Sequence, residues 1–163
     1  MARVRYCLAL IIIVISFVLI TDPVLADNGR VNFSYAQLAK KDLSNQDLQS
    51  GVFAGADMKE TNLNSSNLSN GILTEAVLLK ANLRNADLSG ALLDRVTLDF
   101  ADLSNAILVD VIATRSRFYN ALITGADFTG AIIDRYQVNL MCEKAEGVNP
   151  ITGISTRESL GCR

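Results

Sequence analysis

The sequence predicts a narrow solenoid built from five-residue repeats and closed at its C-terminal end by short helices. Three observations carry this. Apolar residues recur at every fifth position, from Phe33, Leu38, Leu43 and Leu48 through Leu83, Leu88 and Leu108 to Phe118, Ile123, Phe128, Ile133 and Val138; only Ala113 breaks the series. A small residue stands two positions earlier in most repeats, as at Ala36, Gly51, Ala76, Ala86, Ala101, Ala121 and Ala131. Beyond the last repeat the pattern changes to one that suits helices. A period of five fits neither a helix at 3.6 nor a strand at 2, and sustained over this length it specifies a repeat architecture.

Each repeat asks for two side chains inside, one large and one small, and leaves three for water. That suits a prism filled by its own side chains. Ala113 obeys the same rule, because the preceding inward position is Val111: volume moves from one inward slot to the other, as close packing requires. The repeat reads A-[DN]-L-x-x, as in Ala81-Asn82-Leu83-Arg84-Asn85, Ala86-Asp87-Leu88-Ser89-Gly90 and Ala126-Asp127-Phe128-Thr129-Gly130. It resembles the pentapeptide repeat family over about two thirds of the chain. The resemblance implies an all-β solenoid, a right-handed quadrilateral β-helix with four pentapeptides to a coil. Residues 27–140 would then make about five coils.

The N-terminal end reads as an export signal. Arg3 and Arg5 precede an apolar run from Leu8 to Ile20 interrupted only by Ser16, and Val24-Leu25-Ala26 offers a small residue for cleavage. The expected leader is residues 1–26. The run is short for a spanning helix, which needs about 20 residues; an uncleaved N-terminal anchor is the alternative. Arg3 and Arg5 are not adjacent, so a twin-arginine signal is not supported, and Cys7 is not placed as a lipoprotein cysteine. Removing Arg3, Arg5 and Asp22 from the chain's 15 basic and 17 acidic residues leaves 13 against 16, a net charge of −3. Such a balance argues against nonspecific nucleic-acid binding and is too mild for a dense polyanion mimic.

The C-terminal end reads as a cap. Cys142 and Cys162 are the two cysteines left once Cys7 departs with the leader, and two cysteines in an exported protein are expected to pair. The bond would be worth roughly 3 kcal/mol on the loop-entropy account; two free buried thiols are the alternative. With no histidine in the chain, a metal site is not expected. Tyr136 to Ala145 has helical apolar spacing. Gly147, Pro150 and Gly153 mark a loop. Ser155 three before Glu158 reads as the capping box of a second helix. Residues 141–163 would cover the last coil's open end, which every solenoid must protect. The stretch Asn149-Pro150-Ile151-Thr152-Gly153-Ile154-Ser155-Thr156-Arg157-Glu158-Ser159-Leu160 is similar to the disulfide-tied tails of cyanobacterial pentapeptide repeat proteins of the thylakoid lumen and periplasm. That resemblance implies one of these two compartments.

With four repeats to a coil, residues twenty apart stack at about 4.8 Å, and the outward columns can be read. Asp47, Asn67, Asp87, Ile107, Asp127 is one; Asp42, Asn62, Asn82, Asp102, Leu122 is another. Asn separates the acids, as in a hydrogen-bonded amide ladder, so paired carboxylates for acid–base chemistry are avoided. Lys40, Glu60, Lys80 alternates in sign. Two columns stand apart. Val52, Ile72, Leu92, Ile112 and Ile132 form an apolar strip about 20 Å long where the family prefers Asp or Asn. Three residues further on stand Glu75, Arg95, Arg115 and Arg135. Local packing of the strip, under the tail for instance, and pairing of the arginines with Glu75, Asp94 and Asp134 would explain both. Read functionally, they form a docking face with an apolar centre and a basic rim.

The function expected is a non-catalytic structural or protein-interaction module. It would be exported to the thylakoid lumen or periplasm and would present a rigid face to a protein partner or a second copy. No cofactor, metal, nucleic acid or small-molecule substrate is expected, and no membrane span after signal removal. The alternative, by resemblance, is a DNA-mimicking pentapeptide protein that binds gyrase; the leader and the weak charge speak against it. A β-helix enzyme would need a carboxylate cluster with basic partners in one groove, and the Asp/Asn alternation speaks against that.

Overall fold

The computed structural model describes residues 30–163 and the backbone of Val24–Leu25; the expected leader, residues 1–26, otherwise lies outside them. The chain winds as a four-sided β-helix with a coil of twenty residues. Its register is read from four parallel ladders: Asn32–Val52–Ile72–Leu92–Ile112–Ile132, Gln37–Asp57–Val77–Thr97–Arg117, Asp42–Asn62–Asn82–Asp102–Leu122 and Asp47–Asn67–Asp87–Ile107–Asp127. On the first side, two bridged pairs lengthen into parallel strands, Ile112–Ala113 and Ile132–Ile133. At the opposite end Val24–Leu25 pairs antiparallel with Val31–Asn32.

One repeat explains the rest. In Ala86–Gly90 and the Ala91 that follows, the Leu88 N–H donates to Ile107 O in the next coil at 2.8 Å, and the Asp87 N–H to Ser66 O in the previous coil at 3.0 Å. The Gly90 N–H donates to Val109 O at 2.8 Å, and the Ala91 N–H closes the corner onto Leu88 O at 2.9 Å. The remaining amide, Ser89 N–H, donates to the Asp87 side chain at 2.9 Å. All five donors are satisfied, as a buried backbone requires. This is why Asp or Asn precedes the large inward residue: its carboxylate or amide oxygen caps the corner amide that no carbonyl reaches.

The corner also fixes the residue after that amide. It takes positive φ in every repeat from Tyr35 (φ 57) to Gly130 (φ 70), the third position of a type II turn. Asn and Gly recur there because left-handed backbone costs other residues about 1–2 kcal/mol. At Gly130 a side chain is excluded twice over: a Cβ would sit 2.1 Å from Asp110 Oδ1.

The core is the file of large residues with their small companions. Phe53, Leu63, Leu68, Leu83, Leu88, Leu93 and Leu108 have no exposed surface, and neither do Val111 and Ala113, which exchange volume as expected. The first coil is less covered: Phe33 and Leu43 are half-buried.

The solenoid stops earlier than the sequence period suggests. Val138 does not enter the prism as a further inward residue; it lies on α1, Arg135–Cys142. The physical reason is Tyr136, which falls at the small inward slot, where the largest side chains buried in the prism are Val96 and Val111. The boundary expected at 140 therefore falls at Asp134, and the helix expected over Tyr136–Ala145 ends at Cys142. As the backbone leaves the coil, side chains take over from carbonyls. Asp134 Oδ2 accepts the Arg115 N–H at 2.7 Å, and Gln137 Oε1 accepts the Phe118 N–H at 3.0 Å. The second helix, α2 (Thr156–Ser159), begins at Ser155, whose hydroxyl accepts from the Glu158 N–H at 3.2 Å. A disulfide joins Cys142 to Cys162, with Cα atoms 5.6 Å apart. The tail is docked by Met141 and Ala145, both buried, and by Asn149.

Candidate docking face

The apolar column lies on the first side of the prism, its backbone held by the ladder at every level from Val52 to Ile132. Ile72, Ile112 and Ile132 are 40%, 42% and 56% exposed; Val52 and Leu92 are half-buried. The tail does not cover them. Its contacts run elsewhere, from Asn149 to the carbonyls of Asn105, Ala106 and Gly125, and from Thr156 to Ile123 O. Because Val52, Ile72, Leu92, Ile112 and Ile132 cannot cap a corner amide, this side beyond Asn32 lacks the Asx contact that runs along the Asp42 and Asp47 columns.

The arginine column is placed beside the strip but is not a bare basic rim. Arg95 pairs with Glu75 at 3.0 Å and Asp94 at 3.1 Å. Arg115 folds back onto Asp94, with Nη2 at 2.9 and 3.0 Å from its two oxygens, while Thr114 donates to the same carboxylate at 2.6 Å. Arg135 makes no ion pair among the described residues. The basic column is thus largely neutralised, because Asp94 sits between two arginine levels one residue off the column. On the opposite edge of the strip stand Asn70, Gly90, Asp110 and Gly130, mostly short.

A second apolar cluster escaped the sequence reading. Phe100 and Tyr119, 48% and 55% exposed, meet edge to face at 5.6 Å. Beside them a cavity of about 130 Å³ opens between the last coil and α1, walled by Phe118, Ala121, Ile123, Leu140 and Met141. The signal was Phe100 itself, an aromatic at the left-handed corner of the column Lys40, Glu60, Lys80, Phe100, Asn120.

The amide ladder is present: Asn62 donates to Asp42, Asn67 to Asp47 and Asn82 to Asn62, each at 3.0 Å. These contacts tune the acids. The Ser44 hydroxyl and amide hold Asp42 below its usual value of 3.8. The Thr114 hydroxyl does the same for Asp94, helped by Arg115 and Arg95 against partial burial. Burial pushes Asp102 and Asp127 up, but Ser104 and Arg84 at the first, and Thr129 and Thr152 at the second, bring both below 3.8. Depressed carboxylates stabilise the fold above their unfolded value and stop doing so as pH falls through the folded value. The urea midpoint should therefore hold above about pH 5 and fall steadily toward pH 2, and Asp94→Asn should make that fall shallower. A midpoint flat over this range would contradict the assignment.

Comparison with known proteins agrees with this geometry. The family described as Pentapeptide repeats matches in 8 copies over residues 29–64, 61–99 and 98–134. A crystal structure of a pentapeptide repeat protein from the Arabidopsis thaliana thylakoid lumen is 32% identical, with a TM-score of 0.79, covering 80% of this chain and 91% of that one. The curated thylakoid lumenal protein TL20.3, chloroplastic, of Arabidopsis thaliana is 55% identical over 42 residues, 26% of this chain and only 15% of that relative's length. QnrB1, a plasmid-mediated fluoroquinolone resistance protein, is 18% identical with a TM-score of 0.59 over 71% of each chain, a likeness of fold alone. Such proteins form right-handed quadrilateral β-helices, the fold described above.

Proposed function

This chain belongs to the pentapeptide repeat family, and from that premise we propose that it is a non-catalytic, exported interaction module that presents one rigid side of its prism to a protein partner. The observation that carries the reading is the strip Val52, Ile72, Leu92, Ile112, Ile132: three of its five side chains are 40–56% exposed, in a column where the coil's own hydrogen bonding calls for Asp or Asn. A row of apolar side chains on a flat side is the centre of an interface rather than scattered surface. The prism interior is filled, so the work falls to its faces. Export to the thylakoid lumen or periplasm is supported by the Leu8–Ile20 run, the paired cysteines and the likeness to a lumenal protein over most of both chains. The gyrase-binding alternative has only a fold-level likeness behind it, and the mild net charge speaks against it.

The test is the triple variant Ile72→Asn, Leu92→Asn, Ile112→Asn. Asn can restore the missing corner caps, so the unfolding free energy should stay within roughly 1 kcal/mol of the parent. Association with its partner should be lost, because the central apolar patch carries most interface energy. An unfolded variant would make the strip part of the core. A folded variant with unchanged association would remove the docking face. Export is checked on the same protein: the mature chain should begin near Asp27, and residues before Val24 in a soluble exported fraction would contradict it.

A further inference from the structure

We propose that the occupant of this face is a second copy of the chain, packed side against side with the two prism axes parallel across a two-fold that runs along the strip; this rests on the docking-face reading above. The strip alone does not choose a partner, since a line of aliphatic side chains on a flat side is complementary to many surfaces and to itself. The two edges of the strip do choose. One edge carries long cations, Arg95, Arg115 and Arg135, and the other carries Gly90, Asp110 and Gly130 at the same three levels. The ladder fixes those levels through Leu92, Ile112 and Ile132.

A two-fold parallel to the prism axis keeps each level opposite itself and exchanges the edges. Arg115 of one copy then faces Asp110 of the other, twice over. Arg95 and Arg135 face Gly90 and Gly130, over which the Asn70 and Asp110 side chains lie from the level before, so the Asp110 carboxylate stands between the levels of Arg115 and Arg135. Asp110 is available for this pairing: it is exposed and makes no ion pair among the described residues. Arg115 stands on the other side, 66% exposed with its guanidinium already on Asp94, so in the dimer it would be shared between Asp94 and the Asp110 of the other copy. The antiparallel two-fold, centred on Leu92, is disfavoured. It brings like edges together and sets Asp94 and Arg95 against their own copies, and like-charge contacts of this kind select against an orientation. The strip is about 20 Å long, so the interface is small and the dimer should be micromolar or weaker.

Sedimentation equilibrium across a hundredfold range of protein concentration should show a monomer–dimer equilibrium that the triple Asn variant abolishes. Asp110→Arg or Arg115→Asp alone should weaken it about tenfold, and the combined swap should restore it. Ile112→Cys should cross-link with itself under mild oxidation, as should Ile72→Cys. In the antiparallel arrangement only a mixture of the two would cross-link, and that result overturns the proposal. A monomer at every concentration also overturns it. So does association that strip and edge variants leave unchanged, as it would be if residues 1–29 drove it. In both cases the loss or survival of association with proteins of the exported compartment in the triple variant still decides the docking face separately. Far-UV circular dichroism of each variant keeps misfolding from passing as lost association, and Asp110→Arg guards against strain at the Arg115–Asp94 contact.

Discussion

Leu88→Ala should cost about 2–5 kcal/mol of unfolding free energy, among the largest effects of any single aliphatic truncation in the chain. Leu88 has no exposed surface, and it stacks between Leu68 and Leu108, which have none either. The prism cannot relax around the missing atoms. Its walls are ladder hydrogen bonds at 2.7–3.1 Å from coil to coil through this region, and moving a wall inward would break them. The loss is therefore the transfer energy of the side chain together with an uncollapsed cavity. Leu43→Ala, in the half-buried first coil, should cost less than half as much, because water already reaches that end. Urea unfolding at neutral pH measures both. Equal costs at the two sites would mean that burial along the prism is not what holds it together. Coils distant from either site should keep their amide protection until global unfolding, since repeat proteins are stabilised mainly by nearest neighbours.

Asn149→Asp should undock the C-terminal tail at neutral pH. Asn149 is 1% exposed. Its amide nitrogen donates to Gly125 O at 2.9 Å and is shared with Asn105 O and Ala106 O at 3.2 Å. Its oxygen accepts from the Ile151 and Thr152 amides at 3.0 and 3.1 Å. Aspartate keeps the acceptor and loses the donor, and it sets a carboxylate against carbonyl oxygens where water does not reach. Burying those groups unsatisfied costs about 1–3 kcal/mol or more. The buried acid should have its pKa raised by burial and by those carbonyls, so the tail should redock as pH falls and the group protonates. Hydrogen exchange should show lost protection at Gly125 and in α2, with the central coils unchanged. Asn149→Ala should show a smaller, pH-independent loss. If Asn149→Asp protein kept full protection at Gly125 at neutral pH, the side-chain clamp would not be what docks the tail.

How much was legible depends on what each residue reports. The inward residues are local information. A large and a small apolar residue at fixed offsets state the period, the filled interior and the level at which each side chain stacks, because a ladder with one coil length has no freedom to choose another register. The Asp/Asn position was legible for the same reason, although only the backbone explains it, through the corner amide that no carbonyl reaches. Cys142 and Cys162 could be paired because no other cysteine remained once Cys7 was assigned to the leader. The period also put neighbouring coils in register, so the amide ladder was legible; what the sequence could not carry is which of several available partners a side chain takes, or where the tail lands. The repeat period ran on to Val138, yet the chain left the prism at Asp134, where Tyr136 was too large for its slot and helix side chains could replace the missing carbonyls. Glu75, Asp94 and Asp134 could be named as partners of the arginines, but only the coil shows that Asp94 serves two levels at once, Arg95 and Arg115. Asn149 looked like a loop residue until the loop folded back onto Gly125. In each case the deciding contact reaches from one coil to the next or from the tail to a coil, as between Arg115 and Asp94 or Asn149 and Gly125. Its energy belongs to the packed molecule, where a donor or a charge taken out of water must find its partner, and a linear pattern records the residue but not the partner it meets.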